Sequence, residues 1–188
     1  MQEVTFKNVH NKQTKDIFLK VYKKYEELHS VKLILRQTTI KGSTMQAQPI
    51  LKPENIFRPI DTYKIQLATF VRDSQDLKVD ELPQEVLTGW FAHELGHVID
   101  YLRFSPIGML GYGTRYLTSS SFQKKVEHRA DEIAIENGFY KKILATKEFL
   151  LNHDMIDQKY KDKILKYYMS VENVNKLIEK NVHLHPVS

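Results

Sequence analysis

The chain contains no cysteine among its 188 residues. Disulfides and thiolate ligands are therefore excluded, so any metal must be held by histidine and carboxylate side chains. Long apolar runs are also missing, because no stretch approaches the roughly 20 apolar residues of a membrane-spanning helix. Residues 1–7 lack the apolar core of a signal peptide. These absences predict no membrane span and favour a cytoplasmic location.

Charge of one sign is in only mild excess. The net charge is +5 and the pI is about 9.2. Lysine pairs such as Lys23-Lys24 and Lys141-Lys142 are typical of solvated helix faces. No nucleic-acid recognition motif accompanies them, so we expect no nucleic-acid partner. The 41% apolar content and the length indicate one globular domain, residues 1–188.

One stretch carries recognisable chemistry. It contains His93-Glu94-Leu95-Gly96-His97, an H-E-x-x-H pattern. On a helix, His93 and His97 lie one turn apart on the same face, so both imidazoles can reach one metal ion. Glu94 is then placed to act as a general base. Apolar residues recur around the motif at helical spacing, which predicts a buried helix: Val86, Leu87, Trp90, Phe91, Leu95, Val98, Ile99 and Leu102.

A catalytic zinc usually takes three protein ligands, so a third is needed. Glu127 is the best candidate, and Asp131 shares its helix face at i+4. Asp131 would accept a hydrogen bond from a ligand imidazole and fix its tautomer. His128 is an alternative ligand, or a group above the site. Asp100 lies about 10.5 Å along the axis from His93, so we place it beside the centre or at the helix end.

The remaining chain has its own periodicities. Alternation predicts strands over residues 31–36, 45–49 and 63–72. The last of these either lines a cleft and pairs with an extended peptide by strand addition, or is an ordinary sheet strand. Residues 105–119, with three glycines, are expected to form a flexible loop between the two site helices. Helices are predicted over residues 14–29, from Pro83 to about Phe104, over 121–137 with Ser120 and Gln123 as a capping box, and in three segments after residue 139.

The H-E-L-G-H helix followed by Glu127-His128-Arg129-Ala130-Asp131 resembles the gluzincin metallopeptidases. The second stretch is similar to the glutamate helix of the HtpX and CAAX prenyl protease group, and the size is similar to that of minigluzincins. The resemblance covers residues 63–139 and leaves residues 139–188 as a helical extension. It implies an α+β, zincin-like fold: a small, mainly antiparallel sheet, an N-terminal backing helix, the active-site and glutamate helices, and C-terminal helices.

The resemblance also implies one Zn²⁺ per chain on His93, His97 and Glu127, with Glu94 as base and Asp131 behind a ligand. Tyr112, Arg115, Tyr116 and His128 are candidates for oxyanion or substrate contacts. The expected activity is peptide hydrolysis, with a peptide or protein as substrate. Two alternatives stay open: an ImmA/IrrE-like regulatory peptidase that cleaves a repressor, and a latent or non-catalytic zinc protein. In the latent case, His183 or His185 would fill the open coordination position. The sequence does not indicate an oligomeric state.

Overall fold

The computed structural model describes residues 3–52 and 58–184, apart from the side chains of 180–184. The described chain forms four strands and seven α-helices, with short 3₁₀ helices at Glu26–Ser30 and Val79–Glu81. The α+β class is confirmed. In chain order the elements are β1 (Thr5–Lys7), α1 (Lys12–Tyr22), β2 (Lys32–Gln37), β3 (Met45–Pro49), β4 (Thr62–Leu67), α2 (Gln84–Tyr101), α3 (Pro106–Thr118), α4 (Ser120–Glu136), α5 (Tyr140–Asn152), α6 (Gln158–Tyr167) and α7 (Val171–Leu184).

The sheet is mixed, so the expectation of a mainly antiparallel sheet is wrong. Its order is β1-β2-β4-β3. The pairs β1–β2 and β2–β4 are parallel, and only β3–β4 is antiparallel. The reason lies in the connections. The crossover through α1 returns the chain parallel to β1, and β3 is displaced to the edge so that β4 can pair with β2.

This strand order also changes which strand borders the cleft. The strongest alternating segment, predicted over residues 63–72, forms β4, which is paired on both sides. Its backbone groups are already used, so β4 is an ordinary sheet strand, and the alternative of strand addition to it is wrong. The weaker strand β3 occupies the sheet edge instead. It packs against α2, the helix that carries the motif.

The predicted backing helix over residues 14–29 is shorter than expected. Its helical part, α1, begins after an Asn11 cap, whose side chain accepts a hydrogen bond from the Thr14 amide. The helix then gives way to the 3₁₀ turn at Glu26–Ser30. Phe18 connects the layers, because its ring meets Phe6 in β1 and Phe91 in α2 edge-on. The N-terminal helix therefore supports the motif helix directly.

The central helix is α2, and two glycines on it allow other helices to approach closely. A Cβ on Gly89 would lie 2.2 Å from the Lys142 carbonyl oxygen of α5. A Cβ on Gly96 would lie 2.5 Å from the Ala130 carbonyl oxygen of α4. Real Cβ atoms do not come so close to backbone, so these contacts require glycine. Gly96 thus sets the spacing between the histidine helix and the glutamate helix.

Residues 105–119 form a helix, α3, and the prediction of a flexible loop is wrong. Ser105 caps it by accepting a hydrogen bond from the Gly108 amide at 3.1 Å, and Pro106 occupies the first turn. Burial of Met109 and Tyr112 then stabilises the helix. Tertiary packing outweighs the low helix propensity of its three glycines.

The glutamate helix α4 agrees with the prediction within one residue at each end. Its cap is Ser119 rather than Ser120, since the Ser119 hydroxyl accepts from the Phe122 amide. Gly138 follows the helix with a φ of +86°, the left-handed conformation expected of a C-terminal stop. Within the described part of the chain, no helix is long and apolar enough to cross a membrane.

Candidate metal centre

Three buried side chains converge beside a cleft. His93 and His97 come from α2 and Glu127 comes from α4, as the sequence predicts. The His93 Nε2 atom lies 3.0 Å from His97 Nε2 and 3.1 Å from Glu127 Oε2. The third edge of this triangle, from His97 Nε2 to Glu127 Oε2, is 3.5 Å. The group could therefore hold one metal ion.

The dimensions of this triangle fit a tetrahedral metal. Ligand atoms roughly 2.1 Å from a tetrahedral zinc lie about 3.4 Å from one another. The three observed edges are 3.0, 3.1 and 3.5 Å. Two imidazole nitrogens and a carboxylate oxygen at this spacing need a shared proton or a metal cation between them. The donor set of nitrogen and oxygen also suits zinc.

Asp131 fixes the orientation of His93. The carboxylate accepts a hydrogen bond from His93 Nδ1 at 2.9 Å, so Nε2 is the ring nitrogen that faces His97 and Glu127. Burial lowers the pKa of His93, but hydrogen bonds to Asp131 and Glu127 outweigh it and raise the pKa to about 10. The two carboxylates therefore favour positive charge on this side chain.

Lys147 on α5 completes the surroundings of Asp131. Its ammonium donates to Asp131 Oδ2 at 2.7 Å, and the Met169 amide donates to the same oxygen at 3.3 Å. Burial would raise the pKa of Asp131, but Lys147 and His93 outweigh it and lower the pKa to about 2. The residues after 139, expected to be an extension, therefore contribute directly to the centre. Lys147 was missed, although it takes a core-facing position between Ile143 and Leu150.

Glu127 is held by more than the histidines. The Tyr116 hydroxyl donates to Glu127 Oε1 at 2.5 Å, which leaves Oε2 facing the two imidazoles. Burial alone would raise the pKa of Glu127, but His97 and His93 hold it well below its usual value. The carboxylate is therefore ionised and presents one oxygen to the proposed metal.

Glu94 lies beside the ligands and contacts the sheet edge. Its Oε2 accepts a hydrogen bond from the Ala47 amide of β3 at 2.7 Å. Burial raises the pKa of Glu94, against the lowering effect of His97 and His93. A raised pKa suits a group that must take up and release a proton near neutral pH.

A cleft of about 590 Å³ opens above these groups. One wall is strand β3, the other is helix α3, and Glu94, His97 and Glu127 lie between them. His93 is behind this surface, in a small cavity that also contains Asp131 and Lys147. His97 and Glu127 thus border the cleft, whereas His93 borders the cavity behind it.

The four candidate oxyanion or substrate residues have different positions. Tyr112 and Tyr116 line the cleft, but their hydroxyls donate to Asp100 and Glu127. Arg115 lies over the Phe122 ring and is exposed, outside the described cleft lining. His128 is outside the metal group, and among described residues its buried Nε2 has no hydrogen-bond partner.

Tyr168 is a cleft residue that the sequence analysis missed. Its ring centroid lies 5.3 Å from that of His93, and the side chain borders both the cleft and the cavity behind it. Within the described part of the chain, no group forms a hydrogen bond with its hydroxyl. No local pattern in residues 158–170 distinguishes it from the neighbouring Tyr167.

Two further predictions concern residues away from the ligands. Asp100 is a helix-end group, since it accepts from Tyr112 at 3.3 Å and pairs with Arg103. It ties α2 to α3 and is not part of the metal group. His183 and His185 belong to the tail, whose side chains lie outside the described residues.

No known family model, curated protein or solved structure matches this chain. The centre is therefore interpreted from its own geometry.

Proposed function

We propose that this chain is a zinc-dependent metalloendopeptidase with a zincin-like fold. One observation carries the proposal: a buried His93, His97 and Glu127 triangle of metal-binding size, with the Glu94 carboxylate beside it at the floor of an open cleft. Structural zinc sites are usually closed by four protein ligands. Among the described residues only three such donors converge here, and two of them, His97 and Glu127, line the cleft.

The chemistry divides between the metal and the chain. Zinc supplies the Lewis acidity that activates water and polarises a peptide carbonyl. Glu94 accepts the proton of the attacking water and delivers it to the leaving amine. Its hydrogen bond from the Ala47 amide keeps the carboxylate at the cleft floor.

Tyr168 is the hydroxyl best suited to stabilise charge that develops on the carbonyl oxygen. Tyr112 and Tyr116 already donate to carboxylates, whereas the Tyr168 hydroxyl has no partner among described residues and borders the cleft. A donor of this kind acts most strongly where water is excluded.

The edge strand favours an extended peptide as substrate. Thr44 and Ile50 exchange backbone hydrogen bonds with the β4 side, so the alternate residues Met45, Ala47 and Pro49 direct their backbone groups towards the cleft. Ala47 uses its amide to hold Glu94. Met45 and Pro49 flank it and offer carbonyls to a peptide added as a further strand.

The test combines metal analysis and hydrolysis. We expect about one zinc per chain in the wild type, a clear loss of zinc in Glu127→Ala, and full zinc but no peptide cleavage in Glu94→Gln. Glu136→Gln, the same change at an exposed position of α4, is the matched control and should behave as wild type. Undiminished cleavage by Glu94→Gln, or absence of zinc after reconstitution, contradicts the proposal.

A further inference from the structure

The charged groups on the cleft rim are of one sign. Apart from Glu94 and Glu127 on the floor, no aspartate or glutamate is among the described cleft-lining residues. The same lining includes two lysines, Lys41 and Lys163. The Lys163 ammonium donates to the Gly42 carbonyl oxygen at 3.0 Å, which holds it on the rim just before β3 begins. One end of the cleft is therefore basic.

The opposite end of the cleft is apolar. Pro49 ends β3 and Leu51 follows it, and Met109 faces them from α3. Leu51 also borders a small neighbouring cavity with Pro106, the first residue of α3, and with the Lys52–Asp61 ion pair on its far side. Leu51 is 38% exposed although it is large and apolar. Such a surface at a cleft mouth is typical of a binding site.

Strand β3 runs from the basic end of the cleft to the apolar end, so its direction determines how a bound peptide is oriented. It runs from Met45, near the lysines, to Pro49, near the apolar wall, over roughly 13 Å. Antiparallel pairing is slightly more stable per residue than parallel pairing. A peptide added antiparallel to β3 has its N-terminal part at the apolar end and its C-terminal part at the lysines.

We propose that the cleft selects extended polypeptides with an apolar residue before the scissile bond and a carboxylate after it. The inference rests on the proposed peptidase function and names its substrate class. Because Glu94 is the proposed base and contacts the Ala47 amide, the scissile bond lies beside Ala47 in this proposal. Gly42 precedes Ala47 by five residues, so the carboxylate lies about three to five residues C-terminal to the cut, given roughly 3.3 Å per extended residue. It is either an acidic side chain or the free C-terminus.

Binding can be measured without turnover in the zinc-loaded Glu94→Gln protein. The probes are fluorescein-labelled ten-residue peptides with leucine at the apolar side and, four residues further on, glutamate, glutamine or lysine. A second pair carries a C-terminal acid or amide and distinguishes the two carboxylate sources. We expect the glutamate peptide or the C-terminal acid to bind about three to ten times more tightly than its neutral counterpart. In 1 M salt the difference should disappear.

Charge reversal identifies the lysines responsible. Each of Lys163→Glu and Lys41→Glu should remove the preference for the acidic peptide. The double variant should bind the lysine peptide more tightly. Lys163→Met tests the loss of charge if reversal disturbs the contact with Gly42. Lys159→Glu makes the same charge change at an exposed position of α6 outside the cleft, and should leave the preference unchanged.

The outcomes separate this inference from the proposed function. Equal affinity for acidic and neutral peptides overturns the inference, as does a preference that survives both reversals or disappears equally in Lys159→Glu. Absence of any peptide binding overturns it too. The zinc content and the loss of cleavage in Glu94→Gln are measured independently, so the peptidase proposal can stand when the substrate preference fails.

Discussion

Replacing Gly96 by alanine should lower the affinity for zinc more than it lowers the free energy of unfolding. Gly96 lies between the two histidines of the motif, where α2 touches the backbone of α4. An alanine Cβ would meet the Ala130 carbonyl oxygen at 2.5 Å, and an ordinary contact needs at least 3.4 Å. The helices must therefore separate by about 0.9 Å. Ala130 is one turn after Glu127 and directly precedes Asp131, so both acids move with it.

The size of this displacement decides the result. The His97 Nε2 to Glu127 Oε2 distance is already 3.5 Å, and a further 0.9 Å gives about 4.4 Å, well beyond the roughly 3.4 Å expected around a tetrahedral zinc. We expect zinc affinity to fall by at least about tenfold. The stability change is smaller. Overpacking costs about 1–3 kcal/mol, and the better helix propensity of alanine offsets about 1 kcal/mol of that.

The assay is a zinc competition titration with a chromophoric chelator, together with urea unfolding of the metal-free protein. Gly111→Ala is the matched control, because a Cβ at Gly111 in α3 meets nothing within 4 Å. The unfolding free energy of that variant should rise by about 0.5–1 kcal/mol, and its zinc affinity should stay within about twofold of wild type. Wild-type zinc affinity in Gly96→Ala would refute the argument that this contact sets the ligand spacing.

Four further predictions concern the surroundings of the centre. Lys147→Met should lower the unfolding free energy of the metal-free protein by about 3–5 kcal/mol, because the Asp131 carboxylate loses its buried ammonium partner. Lys142→Met, which removes an ion pair with Glu85 at the surface, should cost under about 1 kcal/mol. Asp131 has a folded pKa of about 2, below its unfolded value, so its contribution to the free energy of unfolding is present above about pH 4 and is lost as the pH falls towards 2. Urea unfolding across that pH range should show that Asp131→Asn loses about 2 kcal/mol less unfolding free energy than the wild type. Zinc at about 100 times its dissociation constant should raise the unfolding free energy by about 2.7 kcal/mol in the wild type and not in Glu127→Ala. Tyr168→Phe should retain zinc while kcat for peptide cleavage falls by about 100-fold; an unchanged kcat would remove Tyr168 from the mechanism.

The positions of the candidate ligands were predictable where they depend on one helix face. His93 and His97 share a face because they are four residues apart, and the same spacing unites Glu127 and Asp131. The apolar residues around the histidine pair predict burial of that helix, and the structure buries the side chains of both pairs. Glycine at position 138 likewise marks the end of α4 through its own backbone preference. Each of these properties is local.

Predictions that depended on long-range packing were less successful. The glycine-rich segment after residue 105 is helical because Met109 and Tyr112 are buried against other elements, which outweighs propensity. Strand β3, with the weaker alternation, borders the cleft because β4 pairs with β2. Both outcomes follow from the order in which elements pack, and that order is not encoded in any short window.

The sequence by itself therefore determined the two helices that carry the candidate ligands, because side-chain direction along a helix follows from residue spacing alone. Only the tertiary structure decided how those helices meet, through the contact of Gly96 with Ala130. It also decided what surrounds them: Lys147 beside Asp131, and Tyr168 beside His93. These contacts join residues 16 to 75 positions apart, and such contacts form only when separate elements pack into one core.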